Sequence, residues 1–156
     1  MDGGLERVHA TAIAADGRAA LIFGASGAGK SDLALRCLSL PLSSLISAPV
    51  RLVSDDQVLL ERRGNGVWAA APATLRGKLE VRGLGIVEVE AAPTSEVVLA
   101  VELAALAEVP RLPDPWPQRR ILGLRVPVLK VWAFEASAAQ KVVLALLSRS
   151  LPAVQP

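Results

Sequence analysis

The chain has 156 residues, of which 17 are Lys or Arg and 15 are Asp or Glu, so its net charge is +2. Because the basic residues are scattered rather than clustered, nucleic-acid binding has little support, and no nucleic-acid partner is expected. Hydrophobic residues make up 52% of the chain, but no stretch approaches the ~18 to 20 unbroken apolar residues of a membrane-spanning helix.

The chain start and the cysteine content predict a cellular location. Met1–Arg7 lacks the basic and apolar segments of a secretory signal, and the single cysteine, Cys37, cannot form an internal disulfide. We expect Cys37 to be a small buried residue in a cytoplasmic protein without a membrane partner. The length suits a single domain, which we place at residues 1–156.

The first predicted elements are two strands joined by a tight turn. Val8–Ala14 alternates weakly between polar and apolar residues, and Asp16-Gly17 turns the chain into the apolar strand Ala19–Phe23. A glycine-rich segment follows. A helix is then predicted from Lys30 to about Leu40, where a proline comes next.

The rest of the chain predicts a sheet with one further helix. The predicted strands are Val50–Ser54, Val58–Glu61, Val67–Ala70, Ile86–Val89, Val97–Leu103 and Val126–Val131. Pro110–Pro117 contains four prolines and is expected to be a loop. Ser137 is expected to cap the last helix, Ala138–Leu147, which has one apolar face. Together these elements predict a sheet-rich α/β fold.

The glycine-rich segment between the second strand and the first helix fits the pattern G-x-x-x-x-G-K-S/T of a phosphate-binding loop. Its residues are Gly24, Ala25, Ser26, Gly27, Ala28, Gly29, Lys30 and Ser31. Glycines let backbone N–H groups approach phosphate oxygens, and the helix N-terminus faces the anion. Lys30 is expected to reach the β- and γ-phosphates, and the Ser31 hydroxyl to join a Mg²⁺ ion. The segment therefore predicts a site for a nucleoside triphosphate.

Two carboxylates, Asp55 and Asp56, follow the predicted strand Val50–Ser54. In phosphate-loop enzymes a carboxylate at a strand end lies near the γ-phosphate and the metal, and a pair can supply one base and one metal partner. The alternative interpretation is a polar strand-to-turn junction, where Asp is common. After a phosphate loop, the functional interpretation is favoured.

The segment Leu79–Val87, LEVRGLGIV, closely resembles the signature segment of bacterial HPr kinase/phosphorylase. Other pieces are similar to the same family: His9 upstream of the phosphate loop, the strand Arg51–Asp56 that ends in two aspartates, and the pair Arg111-Leu112. The resemblance covers residues 8 to 148, about the whole predicted core.

This resemblance implies an ATP-dependent protein serine kinase whose substrate is HPr, the phosphocarrier of the phosphotransferase system. Many members also run the reverse reaction, in which inorganic phosphate removes the serine phosphate and pyrophosphate is released. The implied fold is a phosphate-loop α/β core with a mixed β-sheet, similar to phosphoenolpyruvate carboxykinase. The implied assembly is a homo-oligomer, usually a hexamer.

The family pattern also implies residue roles. Asp55 matches the proton acceptor, with Asp56 as the alternative, and Arg111 matches the catalytic arginine. Ser31 and Glu80 are the expected Mg²⁺ ligands, because Mg²⁺ prefers oxygen donors and few protein carboxylates. His9 is assigned to the site, although a lone histidine on a short strand is also typical of an edge residue. Arg82, Gly83 and Gly85 are expected to form a turn beside the site.

Two features depart from the pattern of the long members. Only about eight residues precede the predicted core, so the chain resembles the short forms that lack an N-terminal domain. A Pro-Val-Arg-Pro-Gly-Arg-Asn stretch associated with dephosphorylation is replaced by 128–137, in which Lys130 is the nearby cation, so we expect weak or no phosphorylase activity. An ATP-binding sensor or scaffold without turnover, and a small-molecule kinase, are the alternative functions.

Overall fold

The computed structural model describes residues 4–156, which form eleven β-strands and two α-helices. In chain order they are β1 (Leu5–His9), β2 (Thr11–Ala15), β3 (Arg18–Phe23), α1 (Lys30–Leu38), β4 (Arg51–Ser54), β5 (Gln57–Arg63), β6 (Gly66–Ala70), β7 (Lys78–Val81), β8 (Gly85–Glu88), β9 (Ser95–Leu103), β10 (Gln118–Ile121), β11 (Leu124–Val131) and α2 (Ala138–Leu147). Short 3₁₀ turns occur at Ala73–Leu75 and Leu106–Glu108.

Nine of the described strands form one mixed sheet, in which β9 has three partners. The main path is β1-β5-β6-β9-β3-β2-β4, and β11 joins the end of β9 and carries β10 on its other side. β3 and β11 both run parallel to β9, whereas the other pairings are antiparallel. The carboxyl ends of β3, β9 and β11 therefore meet at one edge of the sheet.

The middle of the central strands is apolar, as Val97–Val101 of β9 and Ala19–Ile22 of β3 show, because both faces of the sheet are covered there. Successive residues point to opposite faces, as Leu21 and Ile22 of β3 show. On one side, Ile22 packs with Leu33 of α1 and Val142 of α2. On the other side, Leu21 packs among side chains of the strands themselves, including Val126 of β11. Among the described residues, no helix is both long and apolar enough to cross a membrane.

The predicted α/β fold with a mixed sheet is confirmed, and the element bounds differ in places. The predicted strand Val8–Ala14 is two strands, because β1 pairs with β5 whereas β2 lies between β3 and β4. The strands β7 and β10 were missed, and α1 ends at Leu38, two residues earlier than predicted. The turn at Asp16-Gly17 and the loop over 110–117 are confirmed.

The start of α2 corrects one local prediction. Ser137 precedes the helix as expected, but its side chain forms no capping hydrogen bond with any described residue. Its backbone carbonyl accepts a hydrogen bond from the N–H of Lys141 instead. The helix bounds Ala138–Leu147 agree with the prediction.

Cys37 lies on the buried side of α1, as predicted. Desolvation by the surrounding core raises the pKa of the Cys37 thiol from 9.0 to about 12, and the neighbouring Arg36 charge partly opposes this. The thiol therefore stays protonated at neutral pH.

Candidate active site

The phosphate loop joins the end of β3 to the start of α1. Gly27 and Gly29 have φ angles of 80° and 101°, which favour glycine. A hydrogen bond of 3.0 Å from the N–H of Ala28 to the carbonyl of Ala25 closes the turn. No described side chain caps α1 at Gly29, so the first N–H groups of the helix remain available to an anion.

Lys30 lies inside this loop and is only 7% exposed. Its Nζ atom donates hydrogen bonds to the carbonyl oxygens of Gly24, at 2.8 Å, and Ala25, at 3.1 Å. The ammonium group is therefore held within the ring of backbone atoms that the motif predicts to surround phosphate oxygens.

Asp55 is the most connected carboxylate of the site and is 6% exposed. Its Oδ1 atom accepts hydrogen bonds from the Ser31 hydroxyl, at 2.7 Å, and from the Thr11 hydroxyl, at 3.0 Å. Its Oδ2 atom accepts a hydrogen bond of 3.0 Å from the backbone N–H of Glu80. One side chain at the end of β4 thus ties together β2, α1 and β7.

Thr11 is a member of the site that the sequence analysis missed. Its hydroxyl is buried and also lies 3.4 Å from the backbone nitrogen of Asp56. The available signal was a single hydroxyl residue in the apolar run 10–15, on a strand beside the one that ends in two aspartates. Recognising it required the knowledge that β2 and β4 are neighbours.

Asp56 and His9 form a second, more exposed pair. Asp56 has a φ angle of 67°, which turns its side chain away from that of Asp55. Its Oδ1 atom lies 3.2 Å from His9 Nδ1, and the two side chains are 60% and 53% exposed. The two aspartates therefore have different environments, and the junction between β4 and β5 is both a turn and part of the site.

A cavity of about 410 Å³ lies over the phosphate loop. Besides the loop and the first two turns of α1, it is bordered by β7 with its following turn, by the His9–Asp56 pair, and by the segment after β11. The predicted site residues that line it are His9, Ser26, Gly27, Gly29, Lys30, Ser31, Asp56, Glu80 and Arg82. Asp55 lies beneath this surface and contacts Ser31 and Glu80, so the structure brings these predicted residues together.

The turn after β7 has the predicted form. Gly83 and Gly85 have φ angles of 92° and 100°, which reverse the chain between β7 and β8. The two strands form a separate hairpin outside the main sheet. This hairpin positions Glu80 and Arg82 on one wall of the cavity.

The residues fit Mg²⁺ and a nucleoside triphosphate. The Ser31 hydroxyl lies 2.7 Å from the buried Asp55 carboxylate, and Glu80, whose backbone N–H binds Asp55, lines the same cavity, so three oxygen-bearing side chains belong to this site. Such oxygen donors suit Mg²⁺, which is usually bound by one or two carboxylates together with substrate phosphates. Lys30 and the open backbone of the loop suit the phosphates.

Arg111 is the one predicted catalytic residue that the structure does not bring to the site. It is exposed, in the loop between the second 3₁₀ turn and β10, and is not among the described residues that line the cavity. Another arginine, Arg119 of β10, lies near the start of the loop. Its guanidinium carbon is 3.6 Å from the centroid of the Phe23 ring, and Phe23 precedes Gly24. Arg119 also forms an ion pair of 3.4 Å with Glu102.

The segment that follows β11 forms another part of the cavity wall. Ala133 and Phe134 line the cavity, and the Ala133 carbonyl accepts a hydrogen bond from Arg36 of α1. The Phe134 ring meets the Trp132 ring edge to face, with 6.2 Å between the centroids and 72° between the planes. The sequence analysis noted this stretch only as a replacement, so its place in the cavity is new.

Comparisons with known proteins agree on one family. The family model described as HPr Serine kinase C-terminal domain matches residues 5–148. The HPr kinase/phosphorylase of Mycoplasmopsis pulmonis is 35% identical over 104 residues, which cover 62% of this chain and 31% of that protein. The HPr kinase/phosphorylase of Mycoplasma genitalium is 29% identical over 134 residues, which cover 78% of this chain and 40% of that protein.

The matched parts thus span well under half of the length of these relatives. A solved structure supports the fold independently. The Hpr(Ser) kinase/phosphatase from Coxiella burnetii superposes with a TM-score of 0.72 at 23% sequence identity, covering 88% of this chain and 91% of that one.

Proposed function

The chain belongs to the HPr serine kinase C-terminal domain family, and from this premise we propose that it is a protein serine kinase that transfers the γ-phosphoryl group of ATP to HPr. The observation that carries the proposal is the set of contacts around Asp55. Its carboxylate binds the hydroxyl of Ser31, the last residue of the phosphate loop, and the backbone of Glu80, the expected metal ligand.

The phosphates of ATP would lie on the N–H groups of Gly27–Ser31, with Lys30 neutralising charge on the transferred group. Ser31 and Glu80 would hold Mg²⁺, which offsets the negative charge of the β- and γ-phosphates when bound. These assignments are supported by the position of all these residues around one cavity.

In the proposed reaction the serine hydroxyl oxygen of HPr forms a bond to the γ-phosphorus while the bond to the β-phosphate oxygen breaks. ADP leaves, and the hydroxyl proton passes to a carboxylate. Asp55 is the proposed acceptor, because its carboxylate is fixed beside Ser31. Asp56 is the alternative, because its side chain lines the cavity together with His9.

Arg111 is proposed to stabilise charge on the transferring group. This role requires the exposed loop over 109–117 to reach the cavity when both substrates are bound. The reverse reaction is proposed to be weak or absent, because the stretch associated with it is replaced by the apolar segment around Phe134.

The family resemblance further predicts a hexamer in the cytoplasm, where HPr and ATP would be available. It is also the basis for expecting neither nucleic acid nor membrane as a partner. These remain predictions. Sedimentation velocity of the purified full chain measures the assembly directly, and a monomer at working concentration would contradict the hexamer.

The test of the proposed function is phosphoryl transfer by the purified chain. The protein is mixed with HPr, Mg²⁺ and γ-labelled ATP, and the label on HPr serine is quantified by mass spectrometry, with Asp55→Asn as the matched inactive control. We expect serine phosphorylation that depends on Asp55. Nucleotide binding without transfer to HPr would overturn the proposal and support the sensor or scaffold alternative, whereas transfer to a metabolite would support the small-molecule kinase.

A further inference from the structure

The cavity extends beyond the part that the phosphates would need. Asp32, Leu35 and Arg36 of α1 all line it, and their spacing of three and four residues places them on one helix face. From Ser31 to Arg36 the helix rises ~7.5 Å, at about 1.5 Å per residue. This second region of the cavity, bounded by Leu35, Arg36, Ala133 and Phe134, is called the outer region below.

The outer region is chemically unlike the rest of the site. The Ser31 hydroxyl and the backbone N–H of Glu80 are hydrogen-bonded to the Asp55 carboxylate where α1, β4 and β7 meet, and this acidic group suits the terminal phosphate and metal. The outer region instead presents the apolar side chains Leu35 and Phe134 beside the methyl group of Ala133. A nucleoside triphosphate whose terminal phosphate faces the acidic group therefore has its nucleoside end available to this apolar part.

Phe134 is an unusual residue for such a place because its ring is large, apolar and 72% exposed. The ring is nevertheless supported. The Trp132 ring packs edge to face against the Phe134 ring. Glu135, the residue after Phe134, forms an ion pair of 2.5 Å with Lys141 of α2. An aromatic ring that is anchored by its neighbours but open to a cavity is suited to bind a flat partner.

The backbone around Phe134 is also fixed to the phosphate loop and its helix. Arg36 binds both the Ala133 carbonyl and the Asp32 carboxylate, so the guanidinium connects the segment to α1. A Cβ atom built at Gly29 would lie 3.6 Å from the Ala133 methyl group, so the segment runs directly beside the loop. The position of the ring relative to the phosphate site is therefore defined by direct contacts.

We propose that Phe134 is the stacking platform for the base of the nucleoside triphosphate, with Leu35 completing the apolar surface. The inference deepens the proposed function and rests on its claim that the cavity binds a nucleotide. Stacking of a base on an aromatic side chain strengthens binding and tolerates different bases, because every base has a π-face. Phe134 thus contributes affinity for the nucleoside rather than for the phosphates.

The competing explanation is that Phe134 contacts the protein substrate. Two other apolar side chains, Leu84 and Ile86, are 79% and 70% exposed on the hairpin, whose first strand also lines the cavity. A docked protein could use these residues together with Phe134. The cavity lining favours the nucleotide, because Phe134 is continuous with the phosphate loop through Ala133 and lines the same cavity, whereas Leu84 and Ile86 do not.

The experiment compares a ligand that has a base with one that does not. Binding of ATP and of inorganic tripolyphosphate, each with Mg²⁺, is measured by isothermal titration calorimetry on the full chain. The variants are Phe134→Ala, the conservative Phe134→Tyr, and Leu45→Ala as a matched control at an exposed apolar residue outside the cavity. Since Phe134 is exposed, its substitution is expected to leave folding intact, which circular dichroism checks.

We expect Phe134→Ala to weaken ATP binding by about tenfold, within the range typical of a lost base-stacking contact, and to leave tripolyphosphate binding unchanged. Phe134→Tyr keeps the π-face and should remain within about twofold of the unsubstituted protein. GTP should lose affinity by a factor similar to that of ATP, because stacking does not read the edge of the base. Leu45→Ala should change neither ligand.

Three results would overturn the inference. Unchanged ATP affinity in Phe134→Ala would show that the ring does not contact the base. An equal loss of affinity for ATP and tripolyphosphate would show that Phe134 acts on the conformation of the phosphate loop instead. A raised KM for HPr with unchanged ATP affinity would assign the ring to protein docking. The proposed function fails separately, because its failure appears as no phosphate transfer to HPr by the unsubstituted protein, even where that protein binds ATP and Phe134→Ala weakens the binding.

Discussion

The site has two parts that differ in how they are built. The floor consists of Thr11, Lys30, Ser31 and Asp55, whose polar atoms are hydrogen-bonded at the ends of strands and the start of α1. The second part, called the rim, consists of Arg82 and Phe134, which lie in turns that line the cavity, and of Arg111, which lies in an exposed loop and does not line it.

The difference teaches which residues can be placed by the fold alone. Strand pairing fixes the floor, because β2 and β4 are neighbours and β3 leads straight into the loop. The rim has no comparable constraint, since loops at the surface carry fewer packing contacts and are more mobile. We therefore expect floor substitutions to change the chemical step, and rim substitutions to change binding or closure.

The largest expected effect comes from Asp55→Asn. The substitution removes the proposed proton acceptor and places an amide against donors that now face a carboxylate, so kcat for HPr phosphorylation should fall by about 10³-fold. Initial rates at saturating ATP and HPr measure this.

Asp56→Asn is the matched control, since it changes the neighbouring, exposed carboxylate. Its loss should be at least about tenfold smaller if Asp55 is the acceptor. A larger loss for Asp56→Asn would transfer the role to Asp56 and would show that the exposed pair performs the chemistry.

The next effect concerns the support of the floor. Leu33 is a fully buried residue of α1, the helix that follows the phosphate loop. Leu33→Ala should lower the free energy of unfolding by about 3 kcal/mol. Leu112→Ala, at an exposed leucine of the loop that bears Arg111, should change it by less than about 0.5 kcal/mol. Urea unfolding followed by circular dichroism measures both, and equal losses would contradict the distinction between floor and rim.

Arg111→Ala tests whether the loop that carries Arg111 reaches the cavity during the reaction. If the loop brings the guanidinium to the transferring group, kcat should fall by about 100-fold while ATP affinity is unchanged. Arg111→Lys should restore little, because the planar fork of arginine is lost. Full activity of Arg111→Ala in the same assay would mean that the arginine stays outside the cavity.

A smaller effect is expected from Thr11→Val. The change keeps the shape of the side chain but removes the hydrogen bond to Asp55 Oδ1, which should lower kcat by about tenfold, in line with a hydrogen bond to a charged group. Thr11→Ser restores the hydroxyl and should recover most of the rate. A merely structural role would instead lower stability while leaving kcat of the folded enzyme unaltered.

The smallest effect tests whether Cys37 of α1 stays buried in the core. Because the pKa of the Cys37 thiol is raised from 9.0 to about 12, its protonated form stabilises the fold below pH 9, and this contribution is lost as the pH rises toward 12. The unsubstituted protein should thus lose about 1 kcal/mol more stability than Cys37→Ala between pH 8 and pH 10. Rapid alkylation of Cys37 by iodoacetamide at pH 8 in the native protein would contradict its burial.

The sequence allowed the phosphate loop to be predicted because its residues are contiguous and glycine, lysine and serine each have a defined task there. Asp55 was predicted from its place at the end of a strand that follows a phosphate loop, whereas Glu80 came from the family resemblance, since nothing in their 25-residue separation indicates that they touch. Thr11 was missed for a similar reason: its contact with Asp55 spans 44 residues and depends on strand order.

Other misses have local physical causes. β10 carries two adjacent arginines and follows a proline-rich loop, so its sequence alone does not indicate a strand. It is extended because it pairs with β11. Ser137 has the residue type of a helix cap, but the chain before α2 turns through Glu135 and Ala138, and this turn leaves the hydroxyl without a capping contact. Phe134 has no recognisable motif, and its place depends on the contact of Arg36 with Ala133.

The three partners of β9 have a consequence for how this family's chemistry can be altered. Phe23 and Lys130 both lie opposite Glu102, one on each side, so the phosphate loop and the 132–137 segment leave the sheet two strand spacings apart, or roughly 9.5 Å. This distance is set by the pairing of the strand backbones and does not depend on which side chains follow Val131. Grafting Pro-Val-Arg-Pro-Gly-Arg-Asn at this point is therefore a direct way to ask whether the reverse reaction can be installed, with Ala133 kept so that its contact with Arg36 is preserved.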